Sequence, residues 1–459
     1  MCASPPKKLE TDIFAIPLNG QHVVYAPLRR IAFIANAALV NFLWEMRAGQ
    51  AEGTTTETAE FLKFFDDIGL TGDRRDFPVA SLAHDVFKPT HITLFLTNRC
   101  NLHCPYCYAS ANTGFPVDMD FLTAKQGVDY ICQNAVELGA KQFEVGFHGG
   151  GEPTLNWTVL TKTLQYSQDL AQRNGLKVNA TLATNGVFST DKCRWIVENL
   201  NGVSLSLDGA PSVQNVNRPF ANGRPSANMV FQTLQIFDEN HFPYGIRMTV
   251  TDRSVKKLPA SVRYVLKRSK PGRIQVEPVY LLGRGKDGVR AEPQAFTAAF
   301  QEASQVAAEY GVELFYSCAR VNVLTDRFCR SCAEGFSLTP KGKVSACYEI
   351  CDEKTLFAEK FIFGGYDKSL KQFVFNHEKL AELRRINVDN NPRCRGCFCK
   401  WHCAGDCPNK IYHAALSGES TDSYRCEITQ TLVLNQILNK IEQNGGLFWA
   451  EGISDTQTR

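Results

Sequence analysis

The chain has 459 residues, 44% of them hydrophobic and 21% charged, with a formal charge of +3. At roughly 100–200 residues per folded unit, that length predicts two to four units. The composition excludes a disordered chain, and the near-balanced charge gives no nucleic-acid footprint.

The first residues, MCASPPKKLETDIF, contain no apolar core of the secretory kind. The most apolar stretch, 31–44, is broken by Asn36 and Asn41 and is too short to span a bilayer. A cytoplasmic protein with neither a membrane nor a nucleic-acid partner is expected. Apolar runs at 13–16 and 23–25 flank the turn Leu18-Asn19-Gly20-Gln21. Helical patterns follow at 37–46 and 56–68, separated by the polar stretch 49–55. Residues 1–88 are therefore expected to form a winged-helix-like module.

From residue 91 short β-rich runs alternate with longer amphipathic segments. Strands are expected at 92–96, 143–147, 177–182, 203–207, 245–250 and 273–279. Helices are expected at 121–138, 157–173, 191–199, 227–240, 255–268 and 293–310. Such alternation implies parallel strands joined by right-handed crossovers. An α/β fold with an open, partial (β/α)6 TIM-like barrel over 89–316 suits six units better than a closed eight. Its chemistry belongs at the C-terminal ends of the strands. Beyond 316 the periodicity fades and cysteines crowd, so 317–459 is expected to be organised around metal. An amphipathic helix at 428–442 precedes a polar tail.

The 17 cysteines are an odd number and are unevenly spread. In a reducing compartment they read as metal ligands rather than disulfides. Cys2, Cys132 and Cys193 stand alone and are expected to be small buried thiols. Cys100, Cys104 and Cys107 follow the first barrel strand at C-x3-C-x2-C spacing. Three thiolates can hold three irons of a [4Fe–4S] cluster and leave the fourth iron open to a ligand. A zinc site completed by His103 is the alternative. Gly149-Gly150-Gly151-Glu152-Pro153 follows the second strand, where glycines let the backbone approach a ligand.

Together these two motifs resemble the radical S-adenosylmethionine (SAM) superfamily, whose cysteine loop carries an aromatic residue where Tyr106 stands. The resemblance implies that SAM chelates the open iron and yields a 5′-deoxyadenosyl radical on reduction. It places Tyr106, Gly150, Gly151 and Glu152 at the SAM, with Glu152 offsetting part of its ammonium charge. Asn185, Ser206 (the preferred ribose contact) and Arg218 would lie at later strand ends, where helix caps or turns are the alternative.

Cys332-x9-Gly342-x4-Cys347, Cys394-x2-Cys397-x5-Cys403-x3-Cys407 and Cys426 follow. This order resembles the seven-cysteine SPASM extension of peptide-modifying radical SAM enzymes, including the anaerobic sulfatase-maturating enzymes. The resemblance implies two auxiliary [4Fe–4S] clusters. Cys332, Cys347 and Cys407 would serve the first, and Cys394, Cys397, Cys403 and Cys426 the second. Cys329 is the preferred fourth ligand of the first, with Cys318, Cys351 or an open iron as alternatives. Cys399 is left as a packed free thiol, and a pair of zinc ribbons is the alternative for the whole field.

Sulfatase maturases carry an Asp directly after the cysteine matched by Cys347, whereas this chain has Tyr348-Glu349. The N-terminal unit is similar to a degenerate recognition element for ribosomally made peptides. Its strand near 23–28 is expected to be an exposed edge to which a leader adds; a structural cap is the alternative. The expected activity is maturation of a precursor peptide by crosslinking or epimerisation, with a flavodoxin- or ferredoxin-type reductant. Formylglycine formation and a non-catalytic iron–sulfur scaffold are the alternatives.

Overall fold

The computed structural model describes residues 12–50, 55–71, 76–80, 86–332, 335–416 and 424–451. Cys2, the first eleven residues, residues 51–54 of the polar stretch and the side chain of Cys332 lie outside the described residues.

The N-terminal elements are β1 (Phe14–Leu18), β2 (Gln21–Ala26), β3 (Ile31–Ala35), α1 (Ala37–Ala48) and α2 (Thr56–Asp67). Strand–helix alternation follows through β4 (His91–Thr97), α3 (Phe121–Glu137), β5 (Gln142–Gly150), α4 (Trp157–Arg173) and β6 (Lys177–Thr184). It continues with α5 (Thr190–Asn199), β7 (Gly202–Ser206), α6 (Pro211–Asn217), α7 (Ala227–Glu239), β8 (Tyr244–Val250) and α8 (Leu258–Leu266). β9 (Arg273–Pro278), α9 (Pro293–Glu309) and β10 (Glu313–Phe315) complete the parallel part.

All six expected barrel strands form, and every pairing from β4 to β10 is parallel. β4 is buried along its whole length, as a central parallel strand covered on both faces should be. In β5, Phe143, Val145 and Phe147 are buried, while Glu144, Gly146 and His148 alternate with them on the opposite face. The same alternation in β7 and β8 gives the sheet one face for the helices and one for the barrel interior.

The segment beyond 316 extends this sheet. β11 (Ser337–Leu338) pairs parallel to β4. β12 (Lys343–Ser345), β13 (Ile362–Asp367) and β14 (Gln372–Phe375) then add antiparallel. The result is one open sheet of 11 strands in the order β10-β9-β8-β7-β6-β5-β4-β11-β12-β13-β14. Helices α10 (Ala358–Phe361), α11 (His377–Arg384), α12 (Lys400–Cys403), α13 (Pro408–Leu416) and α14 (Tyr424–Gln443) carry the later cysteines or flank them. Among the described residues, no helix is long and apolar enough to cross a membrane.

A second, antiparallel sheet has the order β1-β2-β3-β15, where β15 (Phe448–Ala450) arrives from beyond α14. The small sheet thus joins strands from before residue 88 and after residue 316, and the large sheet joins strands from either side of residue 316. The expected edge strand is also corrected. β2 pairs with β1 on one side and β3 on the other, and residues 27–29 form a 3-10 turn. Val23, Val24, Tyr25 and Ala26 are all buried because β2 serves two cores. Val24 packs with Phe33, Leu43 and Phe65, while Val23 and Tyr25 face the main core. The Tyr25 hydroxyl also donates to His402 Nε2 at 2.6 Å, tying this sheet to the cysteine-rich segment. A Pro at position 24 would remove a ladder N–H from an interior strand. Val24→Pro is therefore expected to unfold this sheet, read as loss of amide protection across β1–β3 in hydrogen exchange. Retained protection would contradict the interior placement.

Candidate active site

The Cys100–Cys107 loop leaves the C-terminal end of β4 and is gripped from three sides. Asn112 clamps Cys100 by accepting from its N–H at 2.8 Å and donating to its carbonyl at 2.8 Å. After β9, Arg284 donates to the Cys104 carbonyl at 2.8 Å and the Ala111 carbonyl at 2.5 Å. The Arg284 N–H meets the Cys107 carbonyl at 3.0 Å. Gly283 has φ 54°, and a Cβ there would stand 2.2 Å from the Tyr108 carbonyl oxygen. This Gly-Arg-Gly clamp was not anticipated. Its signal was a basic residue between glycines just past the sixth barrel strand.

The glycine turn forms the third side. Gly151 donates to the Thr97 carbonyl at 2.8 Å, and Glu152 N–H to the Arg99 carbonyl at 2.7 Å. A Cβ on Gly151 would fall 1.9 Å from the Arg99 oxygen, and one on Gly150 2.8 Å from the Thr97 oxygen. These glycines are thus required first by the contact between two strand ends. The Glu152 carboxylate is buried and accepts from Thr154 N–H at 3.2 Å and its hydroxyl at 2.8 Å. It also accepts from the Thr184 hydroxyl at 2.7 Å and Asn185 N–H at 2.8 Å. Burial raises its pKa against those donors. Oε1 thus takes three protein donors and Oε2 one. Asn185 in turn donates to Asn101 Oδ1 at 2.7 Å and lies 3.7 Å from Cys100 Sγ.

Beneath the loop, the Tyr106 hydroxyl donates to Asp208, a fully buried carboxylate. Asp208 also accepts from Arg218 Nε at 3.0 Å, Asn217 Nδ2 at 3.1 Å and Thr249 N–H at 2.9 Å. The Arg218 guanidinium lies 5.4 Å from the Tyr106 ring centre, and its pKa is raised, with Asp208 overcoming the opposing effect of burial. Arg218 Nε thus forms an internal ion pair with Asp208. Asp208 is the common acceptor of this network. Ser206, two residues earlier, stands half-buried at the end of β7.

Burial, then the charge of Glu152, pushes the Cys100 thiol up to about 12, and burial pushes Cys104 up to about 11. Such thiols become thiolates when a metal replaces the proton. A polynuclear cluster gives each thiolate its own iron, and the three-thiol donor set fits that group.

The later cysteines divide into two groups. Cys329, Cys347 and Cys407 lie close enough that charge on the others raises the Cys347 and Cys407 thiols beyond the effect of burial. Cys394, Cys397, Cys399, Cys403 and Cys426 form the other group. Within it, the Cys399 thiol hydrogen-bonds Cys397 and helps pull it down to about 6. Cys318 belongs to this second group, hydrogen-bonded to Cys403 and receiving Arg425 Nη2 at 2.8 Å. Cys351 is elsewhere, bonded to the Gly150 backbone and near Cys107. Neither alternative fourth ligand is therefore placed with the first group; Cys329 is. Cys132 and Cys193 are buried in α3 and α5, as expected.

The site thus combines a three-thiol loop and a glycine turn at the C-terminal ends of parallel strands. Residues 94–260 match the radical SAM superfamily model, and this part of the chain is a radical SAM domain. An uncharacterized protein of Methanocaldococcus jannaschii is 32% identical over 179 residues, 38% of this chain and 58% of that protein. The chain thus spans little more than half of that relative's length. The serine-type anaerobic sulfatase-maturating enzyme of Klebsiella aerogenes is 23% identical over 337 residues, 70% of this chain and 80% of that protein. The sporulation killing factor maturation protein SkfB of Bacillus subtilis is 24% identical over 177 residues, 38% of this chain and 39% of that protein.

Two solved structures share the fold. Native anSMEcpe with bound AdoMet and Cp18Cys peptide superposes with TM-score 0.56 at 19% identity, covering 75% of this chain and 99% of that one. SuiB of Streptococcus suis bound to precursor peptide SuiA gives TM-score 0.50 at 13% identity, covering 88% and 96%.

Proposed function

We propose that this chain is a radical SAM peptide maturase with one SAM-binding and two auxiliary [4Fe–4S] clusters. The observation that carries it is the sorting of the described cysteines into groups, the first on the loop that follows β4 and two more among the later cysteines. Cys100, Cys104 and Cys107 would hold the first cluster. Cys329, Cys332, Cys347 and Cys407 would hold the second, and Cys394, Cys397, Cys403 and Cys426 the third. When bound, the first cluster and SAM supply a 5′-deoxyadenosyl radical that abstracts hydrogen from the substrate. The protein's own part is to hold the loop through Asn112 and Arg284, to keep Tyr106 and Arg218 fixed on Asp208, and to shield the interior from water. A peptide substrate is supported by the peptides bound to anSMEcpe and SuiB and by the name of SkfB. A leader adding as a strand would use β1 or β15, the outer strands of the small sheet.

A second reading, formylglycine formation, has one observation in its favour. Glu349 follows Tyr348 and accepts from Asn409 Nδ2 at 2.7 Å, with Lys410 Nζ at 3.5 Å. Burial favours its neutral form, but Lys410 and Asn409 prevail and keep it charged near Cys351 and Tyr108. A base is thus available, although its lone pairs are partly engaged.

The test is anaerobic purification followed by iron, sulfide and zinc analysis, then incubation with SAM and dithionite. About twelve irons per chain and release of 5′-deoxyadenosine are expected. Stoichiometric zinc with little iron would overturn the proposal. Mass spectrometry after co-expression with a precursor peptide then separates a crosslink or epimer from formylglycine. The Cys394→Ala/Cys397→Ala variant is expected to retain uncoupled SAM cleavage while losing peptide product. Normal product from soluble variant protein would remove the second auxiliary cluster from the mechanism.

A further inference from the structure

Arg247 lies in the middle of β8, paired in register with Ser206 of β7 and Gln275 of β9. Its neighbours Ile246 and Met248 are buried, whereas Arg247 is exposed although its strand is interior to the sheet. It therefore projects from the face that lines the barrel interior. Its charge is felt by His148 on β5, by Glu349 and by Tyr108, the residue after Cys107. Arg247 thus stands where the cysteine loop, the barrel interior and the Tyr348-Glu349 turn converge. On the same face a cavity of about 1010 Å³ is lined by Gly245, two residues before Arg247, and by Ser204, His148 and Tyr348 among others, with Arg247 itself just outside the lining.

Among the described residues no carboxylate lies within ion-pair distance of Arg247. The acidic groups around it are already engaged. Asp208 is held by Arg218 and Tyr106, and Glu152 by Thr154, Thr184 and Asn185. Glu277 accepts from Gln275 at 2.9 Å, Tyr280 at 2.8 Å and Ser317 N–H at 3.0 Å. Glu349 is taken by Asn409 and Lys410, and Glu144 by Arg330 at 3.3 Å. His148 adds no compensating charge; burial and then Arg247 lower it to about 4. At the far rim, among the described residues, Lys270 and Arg273 also have no side-chain ion pair with a carboxylate, while Asp238 is bound by the Tyr244 hydroxyl at 2.7 Å. Arg247 therefore has no ion-pair partner among the described residues, and the planar fork of a guanidinium matches a carboxylate.

We propose that Arg247 recognises a carboxylate on the substrate, so that the peptide segment entering the barrel carries an Asp or Glu side chain. This rests on the peptide-maturase reading and adds the class of residue selected. The guanidinium holds the acidic group beside the cysteine loop, and the cavity admits the remainder of the segment.

The test uses reconstituted, SAM-saturated full-length protein and the capped tripeptides acetyl-Ala-Xaa-Ala-amide, with Xaa as Asp, Glu, Asn or Gln. Binding is measured by equilibrium dialysis, and SAM affinity separately without peptide. The wild type should bind the acids about tenfold or more tighter than the amides, as one charge-assisted contact implies. Arg247→Gln should erase that preference, and Arg247→Lys should keep part of it, both with SAM affinity within about twofold of wild type. Equal binding of acids and amides by wild type, including no measurable binding of either, would overturn the proposal. So would a preference that survives Arg247→Gln. A roughly tenfold loss of SAM affinity in Arg247→Gln would assign the guanidinium to the cofactor and also overturn it. Failure of the maturase reading registers separately, as absence of 5′-deoxyadenosine from wild type, and leaves the binding comparison intact.

Discussion

Replacing Cys100, Cys104 and Cys107 together by Ala is expected to lower iron from about twelve to about eight atoms per chain. It should also abolish 5′-deoxyadenosine release. Loop collapse is not the expected cause, because the contacts that shape the loop run through its backbone. Asn112 grips the N–H and carbonyl of Cys100, and Arg284 grips the carbonyls of Cys104 and Ala111. None of these bonds involves a thiol, so the triple variant keeps its anchors while losing its donors. The two later cysteine groups are built from other elements and should keep their iron. Iron quantitation with Mössbauer spectroscopy, beside a SAM cleavage assay, checks both halves. Twelve irons or surviving cleavage in the variant would remove this loop from the chemistry.

The parallel barrel was legible because two periods alternate along it. Runs such as 143–147 show the two-residue repeat of strands, and those such as 157–173 the longer repeat of helices. What was missed is what those periods cannot carry. β11 has two residues and β12 three, too few to display any repeat, and both depend on pairing with neighbours already in place. β15 pairs Trp449 with Ala32, a contact between the two ends of the chain that no local window contains. The edge-strand error has the same origin. Residues 23–26 are apolar at every position, and that pattern belongs to a strand with partners on both sides.

At the site, the motifs marked side chains whose protein partners the sequence did not show. Glu152, Asn185 and Arg218 lie around the cysteine loop, where Glu152 takes four protein donors and Arg218 pairs with Asp208. Sequence spacing carries no information about where a side chain's hydrogen bonds go. The cysteine count had the same limit. Cys318 and Cys351 were equivalent as spare thiols in the sequence. Folding sends one to Cys403 and Asp406 and the other to Gly150.

Asp208→Ala is expected to be the most damaging substitution outside the cysteines. The carboxylate accepts from Arg218, Tyr106, Asn217 and Thr249 and has no exposed surface. Removing it leaves the guanidinium of Arg218 without its counter-charge, since that side chain is only 11% exposed. Breaking one half of a buried pair costs about 3–5 kcal/mol, a large share of the roughly 5–15 kcal/mol that holds a typical domain folded. Tyr106 also loses the anchor for the Cys104–Cys107 part of the loop, so iron in the first cluster should fall along with stability. Asp208→Asn keeps an acceptor and should lie between Ala and wild type. The double variant Asp208→Ala/Arg218→Met removes both charges, and it should recover part of the stability without recovering SAM cleavage. Thermal unfolding by circular dichroism and iron per chain decide the matter. An Asp208→Ala protein as stable as wild type, or a double variant no more stable than the single one, would show that the pair does not hold the loop.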